Sequence, residues 1–133
     1  SAATSGMKII REVLVDSVSF KKTMHLKVGD KVRIRLTIIA DRDYDFVQVV
    51  DKRAACLEPV SQLSGYRWGY YIAPKDYTTN YYFDEMAKGK HVVETEYYVD
   101  RAGVYQTGTC TVQCAYAPEY SGRTGAMVIQ VKE

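Results

Sequence analysis

The sequence is poor in the residues that most enzymatic chemistry requires. Of 133 residues only two are histidines, His25 and His91, and neither stands in an HExxH, GxSxG or CxxC-type setting. A reaction needs a nucleophile, a base and a stabilising group in mutual reach, and no such set exists, so the chain does not read as an enzyme. Long apolar runs are missing as well. Stretches such as Ile38–Ala40 fall far short of the ~20 residues of a membrane-spanning helix. Net charge is only +2 and no Lys/Arg cluster concentrates it, which excludes the basic groove of a nucleic-acid partner. No secretory leader is visible, so the expectation is a cytoplasmic chain or a piece of a longer one. Residues 1–6 read as a linker or cloning remnant, and residues 7–133 as one domain.

Cysteine is scarce and odd in number, three in all. Cys110 and Cys114 lie four residues apart in a strand-like run, about 13 Å at ~3.3 Å per residue. A disulfide holds its Cα atoms within about 7 Å, so these two do not bond to each other. They share a phase with Val112 and read as small buried thiols, not as metal ligands or redox groups. The acidic DRDYD turn, Asp41 to Asp45, invites a calcium reading. An EF-hand loop counted from Asp41 would need Gly at the sixth place and Glu at the twelfth, where Phe46 and Lys52 stand. Glu94 and Glu96 alternate on a strand whose other face is apolar, which makes them a solvated face and not an acid/base pair. No metal and no cofactor is expected.

What the sequence does have is alternation. In KVRIRLTI, from Lys31, the residues Val32, Ile34, Leu36 and Ile38 fall on one face and Lys31, Arg33, Arg35 and Thr37 on the other, the pattern of a half-buried strand. Six further runs read as strands: 7–15, 44–50, 79–83, 91–99, 104–116 and 127–132. In the run 104–116, Val104, Cys110, Val112, Cys114 and Tyr116 are in phase. Seven strands separated by turn chemistry, with no helical period, predict an all-β, seven-stranded antiparallel sandwich of immunoglobulin or fibronectin type III kind.

One stretch breaks the alternation. Residues 52–78 show little regular pattern and read as one long loop, with Leu57–Glu58–Pro59 and Ser64–Gly65–Tyr66 as turns. Loops of that length are uncommon unless functional or packed on a neighbour. Residues 53–83 hold the single Trp and six of the twelve Tyr. Tyr and Trp join an apolar body to a polar end, which suits core packing, protein contact or stacking on sugars. A carbohydrate platform would use Trp68, Tyr70 and Tyr71.

Four segments carry a resemblance: LKVGDKVRIRLTIIADRDYDFVQVVD at 26–51, RAACLEPVSQLSGYRW at 53–68, TTNYYFDEMAKGKHVVE at 78–94 and RAGVYQTGTCTVQCAYAPEYSG at 101–122. In this order they resemble the C-terminal domain of bacterial alpha-2-macroglobulin family proteins. The chain departs from the family at Met86–Ala87, where Leu-Pro is frequent, near Arg123, where His is frequent, and in a short insertion after Trp68. The resemblance implies a terminal β-sandwich module of a periplasmic or cell-envelope protein that traps proteases, itself neither catalytic nor membrane-spanning. Its partners would be the neighbouring domains and, through the whole protein, the target proteases. Many members carry a thioester built from a CxEQ-like motif. Here Cys56 is followed by Leu-Glu-Pro, Cys110 by Thr-Val-Gln and Cys114 by Ala-Tyr-Ala, so covalent reaction is not expected of this chain. The contact residues this reading nominates are Leu57, Leu63, Tyr66, Trp68, Tyr70, Tyr71, Tyr116 and Tyr120.

Overall fold

The computed structural model describes residues 3–15, 18–20 and 23–133. Among these every regular element is a strand, fifteen in all. In chain order the first five are β1 (Ala3–Ser5), β2 (Met7–Val15), β3 (Val18–Phe20), β4 (Thr23–Lys27) and β5 (Lys31–Ala40). Next come β6 (Tyr44–Lys52), β7 (Leu57–Pro59), β8 (Gly65–Arg67), β9 (Tyr70–Pro74) and β10 (Thr78–Met86). The last five are β11 (Gly89–Val99), β12 (Gly103–Gln106), β13 (Cys110–Cys114), β14 (Ala117–Thr124) and β15 (Val128–Lys132).

They form a seven-stranded sheet in the order β1-β14-β13-β6-β10-β9-β8, a five-stranded sheet β3-β2-β5-β11-β7, and a small sheet β12-β15-β4. The alternation read from the sequence sets which side of each strand is buried. On β5, Val32, Ile34, Leu36 and Ile38 are buried while Lys31, Arg33 and Arg35 face out, and on β11 the buried residues are Val93, Tyr97 and Val99. One continuous core joins all three sheets, with Ile9 and Leu36 from the five-stranded sheet, Val49, Tyr81 and Val112 from the seven-stranded one, and Met24 and Ile129 from the smallest. This is the predicted all-β sandwich, built among the described residues from fifteen strands and not from seven. Gly122 marks a tight place in it, because a Cβ there would collide with the Met7 carbonyl where β14 passes β2.

Four sequence expectations are corrected. The run 104–116 is two strands, since β12 lies in the small sheet and β13 in the large one. The residues Thr107 to Thr109 between them switch the chain from one sheet to the other, which takes Val104 out of phase with the buried thiols, while Tyr116 lies past the end of β13 in the turn before β14, and both side chains are on the surface. Pairing is not antiparallel throughout, because β4 and β15 run parallel. Residues 52–78 are not a structureless loop: β7 extends the five-stranded sheet, and the β8–β9 hairpin extends the seven-stranded one. Leu57–Glu58–Pro59 and Gly65–Tyr66 are thus strand, not turn. Edge strands of three residues are too short to show a period-two pattern. The true turn is Trp68–Gly69, where Gly69 takes φ +88°, the positive φ that the second central residue of a type II turn requires. Finally, Ala3–Ser5, inside the segment read as a linker, pairs with β14.

Candidate functional site

The outer face of the seven-stranded sheet carries a continuous cross-strand row. Tyr66 lies opposite Tyr71, Tyr71 opposite Tyr82 and Tyr82 opposite Gln48. The row continues through Gln113 to Ser121. Residues directly opposed on neighbouring strands share a face and touch. The Tyr66 and Tyr71 rings meet edge to face at 4.8 Å and 75°, and those of Tyr71 and Tyr82 lie 6.4 Å apart at 47°. Beside this row lies an open cleft of about 570 Å³, lined by Tyr66, Arg67, Tyr70, Tyr71, Tyr82, Asp84 and Glu85 among others.

The pleat breaks at the far end of the cleft. Phe46 has φ 56°, a left-handed conformation that is an outlier for a bulky residue. At that point two successive residues face out on both strands: Asp45 and Phe46 on β6, Asp84 and Glu85 on β10. Glu85 and Asp45 are direct cross-strand partners. The Phe46 carbonyl accepts the Ala115 N–H at 2.7 Å, and its ring packs edge to face on Tyr116 at 5.2 Å.

The nominated residues divide by position. Leu63, Tyr66, Trp68 and Tyr116 stand exposed, at 76, 82, 99 and 81%. Tyr71 is half-buried within the tyrosine row. Tyr70, its sequence neighbour, points the other way and packs on Tyr81 and Phe83 at 5.9 and 5.4 Å, where burial raises its hydroxyl above the ordinary tyrosine range. Leu57 is 2% exposed, a core residue. Tyr120 stands apart from the others beside Tyr44, with the Arg42 guanidinium 4.8 Å from its ring centre. Because Tyr70 and Tyr71 lie on opposite faces and Trp68 projects alone from the turn, Trp68, Tyr70 and Tyr71 form no common plane on which a sugar could stack.

Sequence reasoning missed a polar centre inside the sandwich. Arg11 on β2 reaches across the core to Asp51 on β6 at 2.5 Å, both fully enclosed. Its Nη2 also donates to Thr107 Oγ1 at 2.8 Å and to the Gly108 and Gly125 carbonyls at 2.7 and 2.8 Å. Burial pushes the Asp51 carboxyl above its ordinary value, against the pull of the Arg11 charge and hydrogen bond. The signal was present: Arg11 falls in phase with the buried Met7, Ile9 and Val13, and Asp51 with Val47 and Val49. A charge in phase with a core stripe demands a partner.

All three thiols are free and buried, as the phase of Cys110 and Cys114 predicts. Burial pushes Cys56 up to about 11 and Cys110 well above the ordinary thiol range, which leaves both protonated and unreactive near neutrality. Among the described residues no group of three His, Cys, Asp or Glu could hold a metal.

The sequence model of the bacterial alpha-2-macroglobulin MG10 domain matches residues 6–119. The chain belongs to this family. Known structures agree with it in fold. Alpha-2-macroglobulin from Salmonella reacted with methylamine superposes with a TM-score of 0.80 at 20% identity, covering 98% of this chain and 10% of that one. Native Escherichia coli alpha-2-macroglobulin gives 0.84 at 18% identity, covering 100% of this chain and 10% of that one. A piece of the E. coli protein from domain MG7 to the C-terminus gives 0.83 at 19%, covering 99% and 24%. The MG10 domain described here thus spans about a tenth of the length of the full macroglobulin chains it resembles. No curated protein sequence matches it.

Proposed function

We propose that this MG10 domain is a non-catalytic interaction module of an alpha-2-macroglobulin-like protease inhibitor of the cell envelope, packed against neighbouring domains of a larger chain. The observation that carries the reading is the uncovered apolar end of the seven-stranded sheet. Leu63, Tyr66 and Trp68 project from one edge with three-quarters or more of their surface in solvent. Large apolar side chains grouped on a surface mark contact sites, and aromatic residues are the enriched anchors of such contacts. The β8–β9 hairpin holds Tyr66 and Trp68 at the sheet edge, with Leu63 in the segment just before it, so the two aromatics are presented without a large ordering penalty on binding.

The test is hydroxyl-radical footprinting, read by peptide mass spectrometry, on this domain alone and within a longer chain that includes the domains beside it. Oxidation at Leu63, Tyr66 and Trp68 is expected to fall by about tenfold or more in the longer chain, as burial in an interface excludes solvent. Equal oxidation in the two would refute the reading.

A further inference from the structure

We propose that the cleft between Tyr66 and Glu85 receives a cationic side chain, an arginine or lysine presented by an extended basic segment of a partner. The inference rests on reading this face as a contact surface and adds the chemistry of what covers it.

Two sets of groups define the occupant. The first is the tyrosine wall. Tyr66, Tyr71 and Tyr82 are tilted against one another by 75° and 47°. A flat sugar ring needs coplanar faces to stack on, whereas a cation is attracted to any ring face within about 6 Å. The second set is the acidic end. Among the described residues the side chains of Asp45, Asp84 and Glu85 take part in no ion pair and no hydrogen bond. Glu85 faces Asp45 directly across the strands, a like-charge pairing that disfavours the fold unless a counter-charge joins it. In a chain of net charge +2, three uncompensated carboxylates on two adjacent strands form a local negative field that attracts and orients cations.

Two further features fit. The left-handed Phe46 backbone coincides with the pleat break that turns Asp45 and Glu85 outward beside Asp84, which already shares the outward phase of Tyr82, and strained backbone of this kind is retained where it positions a contact. The single cation lining the cleft, Arg67, does not neutralise it. Its guanidinium folds back on its own strand and donates to the Tyr66 carbonyl at 3.1 Å.

The experiment titrates the 15N-labelled 133-residue chain with a capped Gly-Arg-Gly-Arg-Gly peptide, with the Glu counterpart and maltohexaose run as controls. The arginine peptide is expected to shift the amides of Tyr66–Tyr71 and Tyr82–Glu85, with affinity falling about tenfold between roughly 20 and 200 mM salt. Asp84→Asn with Glu85→Gln should weaken binding by about tenfold, and Tyr82→Ala by about threefold. Thermal unfolding of each variant checks that the fold is intact. Equal binding of the glutamate peptide or the sugar, a footprint elsewhere, or unchanged affinity in the Asp84/Glu85 variant overturns the proposal. Protection of Tyr66 and Trp68 in the longer chain without arginine-peptide binding here overturns this inference alone. Peptide binding here without that protection supports it and overturns the interdomain reading.

Discussion

The two outer faces of this sandwich are built from the same alternation and finished differently. On the five-stranded sheet, Arg35 donates to Glu94 at 2.7 Å, Arg33 approaches the same carboxylate at 3.6 Å and Lys31 approaches Glu96 at 3.7 Å. Charges there answer one another across strands, and the Glu94 hydrogen bond raises Arg35 above its ordinary range. On the seven-stranded sheet the outward row is tyrosine, then glutamine, and among the described residues its carboxylates at 45, 84 and 85 meet no cation, Glu85 lying directly opposite Asp45. A face that satisfies itself is finished for water. A face with exposed rings and unanswered charge is finished for something else. That difference, and not the fold, is what points to function.

The sheets beneath the two faces are joined by the common apolar core, and the Arg11–Asp51 pair is a charged contact that crosses it. Removing one partner of a buried ion pair strands the other charge in the core, at a cost of about 3–5 kcal/mol. Arg11→Met is therefore expected to be the most damaging single change considered, read as a lower denaturant midpoint at unchanged slope. A shift of less than about 1 kcal/mol would mean the pair is no joint.

Alkali attacks the same interior. Tyr81 shares a hydrogen with Thr95 and Tyr97 with Thr79, each at 2.6 Å, and burial raises both hydroxyls above the ordinary range. A raised folded value means the contribution to stability is complete below the unfolded value of about 10 and lost as pH climbs through the folded value. Stability should fall steeply above about pH 10, with tyrosinate absorbance from these residues appearing only as the fold is lost. Flat stability to pH 12, about two units past that value, would contradict it.

Phe46 offers a smaller test of how the acidic face is built. If its left-handed backbone is held by the surrounding sheet, Gly should tolerate the position better than any residue with a Cβ. Phe46→Gly is expected to exceed Phe46→Ala in stability by about 1 kcal/mol, although glycine normally weakens a strand. The reverse order would show that the strand is not strained there.

Much of this was legible in the sequence, and the failures have physical causes. Strands long enough to repeat, such as β5 and β11, announce their buried face, because period two over eight residues cannot be satisfied by chance turns. The three-residue strands β7 and β8 cannot announce anything. Their pairing is decided by sheets whose edges they complete, which is non-local information. The same is true of Tyr70 and Tyr71: adjacent aromatics must face opposite ways on a strand, but that follows only once β9 is known to be a strand. Arg11 and Asp51 were readable from phase alone. The exposure of Val104 and Tyr116 was not, because the chain changes sheets after Val104 at Thr107–Thr109 and leaves β13 for a turn before Tyr116.

The smallest expected effect is the sharpest comparison, because one kind of substitution should act with opposite sign on the two faces. Glu94→Gln removes a carboxylate that bridges Arg33 and Arg35. Those groups are a third to a half exposed, so solvent screens the pair and the loss should be about 0.3–1 kcal/mol, shrinking as salt rises. Glu85→Gln removes a carboxylate that faces Asp45 across β6 and β10. Relieving that repulsion should raise stability by about 0.2–0.5 kcal/mol, again most at low salt. Paired denaturant titrations at low and high salt read both values. Opposite signs that converge toward zero with salt would establish that one face is electrostatically complete and the other is held open for a counter-charge. A loss at both positions would mean that Glu85 already has a partner within this chain, and that the two faces do not differ in kind.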